Sequence, residues 1–330
     1  MKKLYPAILL IAFFTIRIEA QQRTYKDIEL TLINDINLSD EGVYKAHSLT
    51  MNDRGDIAIF DYGETRLIHF NIESQIFNKI KKGIGRGPGE FKRVKNLKIS
   101  RDKIYIADLD KSSIIVWRTN GEFDTEFKIK DKFVRPSRIA ICEDNSSYIL
   151  SLQYGPEGIF HNYNNEFKRS SSFKKIQEQD KRLPYYTDGN LACDEDGNLY
   201  HAARYLSSIK KYSRIGDVLF DVPVFNFEPN KKIIEKDGKW TSPAKGIRRA
   251  SGNIYIFKNN VVVGFSNSTY IESKLIDLYN SQNGKYKYSI QVGEKFNEFA
   301  INEKYIVLLM ESKTGDFHLK IYSFNSSLID

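Results

Sequence analysis

Six short apolar runs recur along this chain, and their spacing restricts the fold more than any other feature. They begin at Ile57 (IAIFD), Ile104 (IYIAD), Tyr148 (YILSL), Leu199 (LYHAA), Val261 (VVVGF) and Tyr305 (YIVLL), at intervals of 47, 44, 51, 62 and 44 residues. Each run follows a polar turn and is followed by a second apolar run, and in the first five units by a third. The unit is clearest in residues 83–129. There Leu97 and Ile99, Ile104 and Ile106, then Ile114 and Val116 alternate with polar residues, and Asn120-Gly121 marks a hairpin before the last strand. Four short strands in succession leave no room for a crossover helix, so each unit is an antiparallel meander.

A period of 40–50 residues with four strands per repeat is the signature of a radial array. The sixth unit has only residues 325–330 after its third strand, while residues 27–33 (DIELTLI) form an alternating strand with no local partner. The expectation is therefore an all-β, six-bladed β-propeller with four-stranded antiparallel blades. The N-terminal strand completes the last blade and closes the ring, which leaves only short, protected edges. Two packed sandwiches would leave the six-fold recurrence unexplained.

Residues 1–20 read as a secretory signal peptide. Lys2 and Lys3 precede a ten-residue apolar run, 7–16, and Ala20 is a small residue at the expected cleavage point. That run is too short to span a bilayer, which needs about 20 residues. The expected mature chain is one propeller domain, residues 21–330, monomeric, without a transmembrane segment, and periplasmic or extracellular. Loss of three basic groups and one acidic group leaves a net charge of +6, with Lys and Arg scattered. No recognition helix or stacking platform accompanies them, so nucleic acid is not an expected partner.

The run GIGRGPGEF at 83–91, followed by NLKI, IYIAD, SSIIVW and NGEF, resembles the bacterial exported six-bladed propellers related to NHL repeats. Residues 292–299 (VGEKFNEF) echo the motif before the sixth unit. The resemblance implies a ring-shaped binding or scaffold module. It also admits a metal-dependent lyase or lactonase, although no set of metal ligands in this chain matches those enzymes. Physically, the alternate glycines open backbone angles closed to other residues and Pro88 fixes one step. Phe91 would plug between blades while Glu90 accepts backbone N–H bonds. The same amides with Arg86, Gly87 and Gly89 could instead cradle an anion. Neither a Walker A loop nor a dinucleotide fingerprint is present.

Other chemistry is sparse. Cys142 and Cys193 occupy equivalent places in adjacent units, and two separate buried thiols are expected because neighbouring blades hold such positions apart. His47, His69, His161, His201 and His318 show no metal spacing, and no metal or cofactor is expected. The sequence Asp194-Glu195-Asp196-Gly197-Asn198 lacks the distal ligands of a calcium loop and reads as a hairpin turn. Asp61 and Asp108 end second strands in the same register and should cap the turns that follow.

Connections between units, and between second and third strands, should share one face. The long connections at 176–189 and 226–245 lie there. Apart from residues 81–95, with a charge of +5, this face is not strongly basic. Its aromatic and Arg side chains, Tyr154, Tyr185, Tyr186, Arg204, Tyr205 and Trp240, are the candidate ligand contacts. The function expected is non-enzymatic recognition of a protein or small ligand. The alternatives are a metal-dependent enzyme and a glycan-binding module built on Trp240 and Tyr185-Tyr186.

Overall fold

The computed structural model describes residues 22–80, 83–174, 187–227, 234–236, 239–241, 248–265 and 273–329. Six antiparallel sheets follow one another around a ring. Blade 1 is β3 (Ala46–Met51), β4 (Asp56–Asp61), β5 (Arg66–Asn71) and β6 (Phe77–Ile80). Blade 2 is β7 (Val94–Ser100), β8 (Lys103–Asp108), β9 (Ser113–Arg118) and β10 (Phe123–Lys128). Blade 3 is β11 (Pro136–Ile141), β12 (Ser147–Gly155), β13 (Gly158–Tyr163) and β14 (Arg169–Phe173). Blade 4 is β15 (Gly189–Cys193), β16 (Leu199–Ala203), β17 (Ile209–Tyr212) and β18 (Val218–Val222). A small hairpin, β19 (Ile234–Lys236) with β20 (Lys239–Thr241), lies in the connection to blade 5. Blade 5 is β21 (Ser251–Phe257), β22 (Asn260–Phe265), β23 (Ser273–Asn280) and β24 (Tyr286–Phe296), and β1 (Tyr25–Lys26) adds to its outer edge in parallel. Blade 6 is β25 (Glu298–Ile301), β26 (Tyr305–Glu311) and β27 (Phe317–Ser323), completed by β2 (Thr31–Asn37). Among the described residues no helix is long and apolar enough to cross a membrane.

The burial pattern explains why the second strands were so legible. Each is covered on both faces by neighbouring blades, so β4, β8, β16 and β22 are buried almost end to end and read as continuous apolar runs. Outer strands face solvent, and β10 and β18 are correspondingly mixed. Six apolar clusters fill the six gaps between adjacent blades. One joins blade 6 to blade 1 through Ile59, Ile68, Val307 and Leu319, which closes the ring. The others lie between blades 1 and 2, 2 and 3, 3 and 4, 4 and 5, and 5 and 6.

The closing strand is the one expected, displaced by a few residues. It pairs antiparallel with β27 from Thr31 opposite Ser323 to Asn37 opposite His318, rather than over 27–33. The preceding segment is fastened separately. Arg23 is buried against blade 5, with its guanidinium paired to Asp277 and lying 4.3 Å from the ring centre of Phe265.

The glycine-rich corner behaves as the motif suggests. Phe91 is fully buried between Phe60 of blade 1 and Trp117 of blade 2. Gly89 has φ +76°, and a Cβ there would strike Trp117 and Phe123. The echo at 292–299 does not form an equivalent corner. Strand β24 runs on to Phe296, a single residue separates it from β25, and Phe299 lies inside the inner strand whereas Phe91 precedes its own.

The expectation of two free thiols is overturned: Cys142 and Cys193 form a disulfide, with Cα atoms 5.2 Å apart. Innermost strands converge on the axis, which brings equivalent positions of adjacent blades together there; Cys193 ends β15 and Cys142 directly follows the last residue of β11. Closing a loop of 51 residues should restrict the unfolded chain substantially. A Cys142→Ala/Cys193→Ala variant should lose about 2–4 kcal/mol in urea unfolding. Equal midpoints for the variant and the oxidised wild type would contradict this.

Candidate functional site

In each blade the first strand is innermost, and its unpaired edge faces the axis. The leading residues of all six inner strands line one funnel-shaped cavity of about 470 Å3, at the face that carries the connections between blades. His47 and Ser48 come from blade 1, Lys95 to Lys98 from blade 2, Ser137 and Arg138 from blade 3, Asp188 and Asn190 from blade 4, Asn253 from blade 5 and Glu298 from blade 6. Tyr62, Arg93, Leu152, Arg204 and Tyr205 complete the wall.

These side chains are held by bonds across the blade boundaries. The Glu298 carboxylate accepts from the Leu49 amide at 2.6 Å and the Ser48 amide at 3.0 Å, and it also pairs with His47. Asn253 donates to the carbonyl of Phe299 at 3.0 Å and that of Leu49 at 3.2 Å. Asn190 donates to the Gly252 carbonyl at 2.8 Å, and Asn96 accepts from the Ile139 amide at 3.0 Å. Arg138 reaches both ways, to the Lys95 carbonyl at 3.2 Å and to Asp188 at 3.0 Å. Arg204 also approaches Asp188, at 3.3 Å.

The charge balance of the funnel is uneven. Arg93, Lys95, Lys98, Arg138 and Arg204 face two carboxylates, Asp188 and Glu298. Burial pushes the Lys98 ammonium down to about 8, against the opposing pull of Glu298, and the Lys98 Nζ sits 5.1 Å from the Tyr255 ring centre. Lys95 is lowered by burial and then by its neighbours Arg93 and Arg138. Burial alone would raise the Asp188 carboxyl, but Arg138 and Arg204 outweigh it and hold the group below the ordinary range. For Glu298 burial also acts upward. The His47 charge and hydrogen bond, with the two amides, overcome it and hold the carboxyl at about 2.

Of the residues singled out in the sequence, Arg204 and Tyr205 line the funnel. Arg86 is exposed on the glycine-rich corner, apart from the cavity, and Gly87 and Gly89 lie in the same corner. The Glu90 carboxylate of the chain itself accepts the Gly87 amide at 2.6 Å, and a Cβ on Gly85 would overlap it. Tyr154 lies in β12 and Trp240 in β20, and their side chains are outside the described residues, as are Tyr185 and Tyr186 altogether. Asp61 and Asp108 cap as expected, accepting from Gly63 at 2.9 Å and from Lys111 at 3.0 Å respectively. Each also accepts amides of the connection that leads into its own blade, at Lys45 and Lys92. Asp194 accepts the Asn198 amide at 2.7 Å within a hairpin turn.

Sequence reasoning missed Lys98, Arg138, Asp188 and Glu298. Their common signal is a polar or charged residue near the start of each first strand, a position left unread when the repeats are aligned on their second strands. Among the described residues no group of three or more His, Cys, Asp and Glu side chains converges to hold a metal ion.

No protein-family model matches the chain, and no curated protein matches it in sequence. Solved structures do share the fold. A Bacteroides fragilis protein named as exported is 15% identical, with a TM-score of 0.53 over 90% of this chain and 94% of that one. A streptogramin B lyase is 10% identical, with a TM-score of 0.53 over 91% and 98%. The calcium-binding protein regucalcin of Agrobacterium tumefaciens is 10% identical, with a TM-score of 0.56 over 92% and 96%. At these identities the likeness is one of architecture. It agrees with the six-bladed ring and does not carry a reaction across.

Glu298 offers a direct test of the inner circuit. A carboxyl held at about 2 instead of the ordinary 4.5 contributes stability that is present above pH 4.5 and lost as the pH falls towards 2. In urea unfolding across that window, Glu298→Gln should be less stable than wild type at pH 7 and show a flatter loss in acid. Parallel pH profiles for the two proteins would refute the assignment.

Proposed function

We propose that this protein is an exported, single-domain propeller, related to the NHL-type exported propellers, that binds a small ligand in the axial funnel and performs no chemistry on it. The observation that carries the reading is the convergence of six inner strands on one cavity whose wall is fixed in advance by interblade hydrogen bonds. Such a wall needs little rearrangement to receive a ligand, and concave polar sites of this size are the usual seats of small molecules. The signal peptide read in residues 1–20 and the exported relative of the same fold support delivery outside the cytoplasm.

A metal-dependent lyase or lactonase would need carboxylates or histidines from several blades turned towards a common point. Here Glu298 is spent on His47 and two backbone amides, and Asp188 is spent on arginines. Binding is therefore the better-supported reading.

The experiment is a thermal-shift screen of small charged and neutral compounds against the wild type and Leu152→Trp, which narrows the funnel without changing its charge. A ligand at a hundredfold excess over its Kd should add about 2.7 kcal/mol, a shift of several degrees. The shift should vanish in the variant. Hits that stabilise both proteins equally would place binding elsewhere and refute the axial site.

A further inference from the structure

Five cationic side chains and two carboxylates line the axial funnel, so with His47 counted as neutral its wall carries three positive charges in excess. One is answered from outside the cavity, where Arg93 Nη1 lies 3.7 Å from Asp110. Arg138 and Arg204 share Asp188, at 3.0 and 3.3 Å. Lys95 and Lys98 differ from these arginines. Both belong to β7, both are half-buried, and both line the cavity. Among the described residues neither ammonium has a carboxylate or a hydrogen-bond acceptor within bonding distance. Lys98 Nζ faces the Tyr255 ring, whose centre is 5.1 Å away. Glu298 attracts it without reaching it, being committed to His47 and two backbone amides.

An ammonium partly removed from water and left without a partner is costly, because the surroundings disfavour its charged form. Burial pushes Lys98 down to about 8, and it lowers Lys95 together with Arg93 and Arg138. A concave wall of one sign also focuses its field on whatever enters. An anion in the cavity would provide the missing partners, which a neutral molecule cannot. One negative charge would leave one ammonium unmatched, so two are required. A lysine ammonium is a compact charge with three rotatable donors, and it serves carboxylate and phosphate oxygens alike. The cavity, at about 470 Å3, has the size of a small organic molecule's seat.

We propose that the funnel recognises a small organic dianion, a dicarboxylate or a phosphate monoester, with Lys95 and Lys98 as its charge partners. This rests on the axial binding reading above and names the ligand's chemistry.

The test is isothermal titration of the oxidised mature protein at pH 7 and low ionic strength with two matched pairs, succinate against succinamate and glucose 6-phosphate against glucose. In at least one pair the dianion should bind about tenfold or more tighter than its partner, which lacks one charge or the whole anionic group. The pair that responds separates carboxylate from phosphate. Lys95→Gln and Lys98→Gln should each weaken that binding by about tenfold or more. Lys304→Gln, in the turn between β25 and β26 where Lys304 pairs with Glu73, should leave it unchanged. If a lysine variant does not fold, the matched pairs in the wild type still decide. A preference below tenfold in both pairs, or no binding by either dianion, would overturn the proposal, and the Leu152→Trp screen would then report separately on the funnel. Dianion binding that keeps its full strength in either Lys95→Gln or Lys98→Gln would overturn it as well.

Discussion

The structure depends on how six free sheet edges are satisfied at one axis. Each inner strand has backbone groups with no strand beside them, and groups buried in that way must find partners. Side chains from the neighbouring blades supply partners for several of them, and with one side-chain ion pair they join each blade to the next. Asn52 donates to Arg101 between blades 1 and 2, and Asn96 accepts from Ile139 between blades 2 and 3. Arg138 and Asp188 link blades 3 and 4, Asn190 links 4 and 5, and Asn253 links 5 and 6. Glu298 accepts from Ser48 and Leu49 and returns the circuit to blade 1.

Because these side chains, Asn52 excepted, line the cavity, ring closure and site construction are coupled. A ligand that enters the funnel meets groups already fixed in place by the packing of the whole ring. The buried positive charge is part of the same economy: Arg138 reaches blades on both sides, and one carboxylate, Asp188, is shared between two arginines. Outside this circuit the blades are held by apolar interfaces of ordinary kind, and by a bridge between Cys142 and Cys193 at the far ends of two inner strands.

The N-terminal segment of the described chain is fastened twice. Strand β2 completes blade 6, so opening it would expose the edge of β27. Upstream, β1 lies along β24 and Arg23 is enclosed by Phe225, Phe265 and Tyr286 while paired with Asp277. Both side chains are almost fully withdrawn from water, and burial raises the Asp277 carboxyl to about 6 despite the arginine beside it. Two neighbouring blades are thereby tied by a single N-terminal segment.

By itself the sequence determined the blade count, the second and third strands, the closing role of the N-terminal strand, the interblade corner at Phe91, and the capping by Asp61 and Asp108. Each of these follows from local periodicity or turn chemistry, or from a strand left without a local partner. The axial site followed a different logic. Lys98, Arg138, Asp188 and Glu298 are ordinary charged residues in the linear chain, and they become a site only because rotation about the axis brings residues some 250 positions apart within a hydrogen bond. The disulfide was hidden for the same reason: convergence on the axis, which no local pattern records, decides which equivalent positions touch.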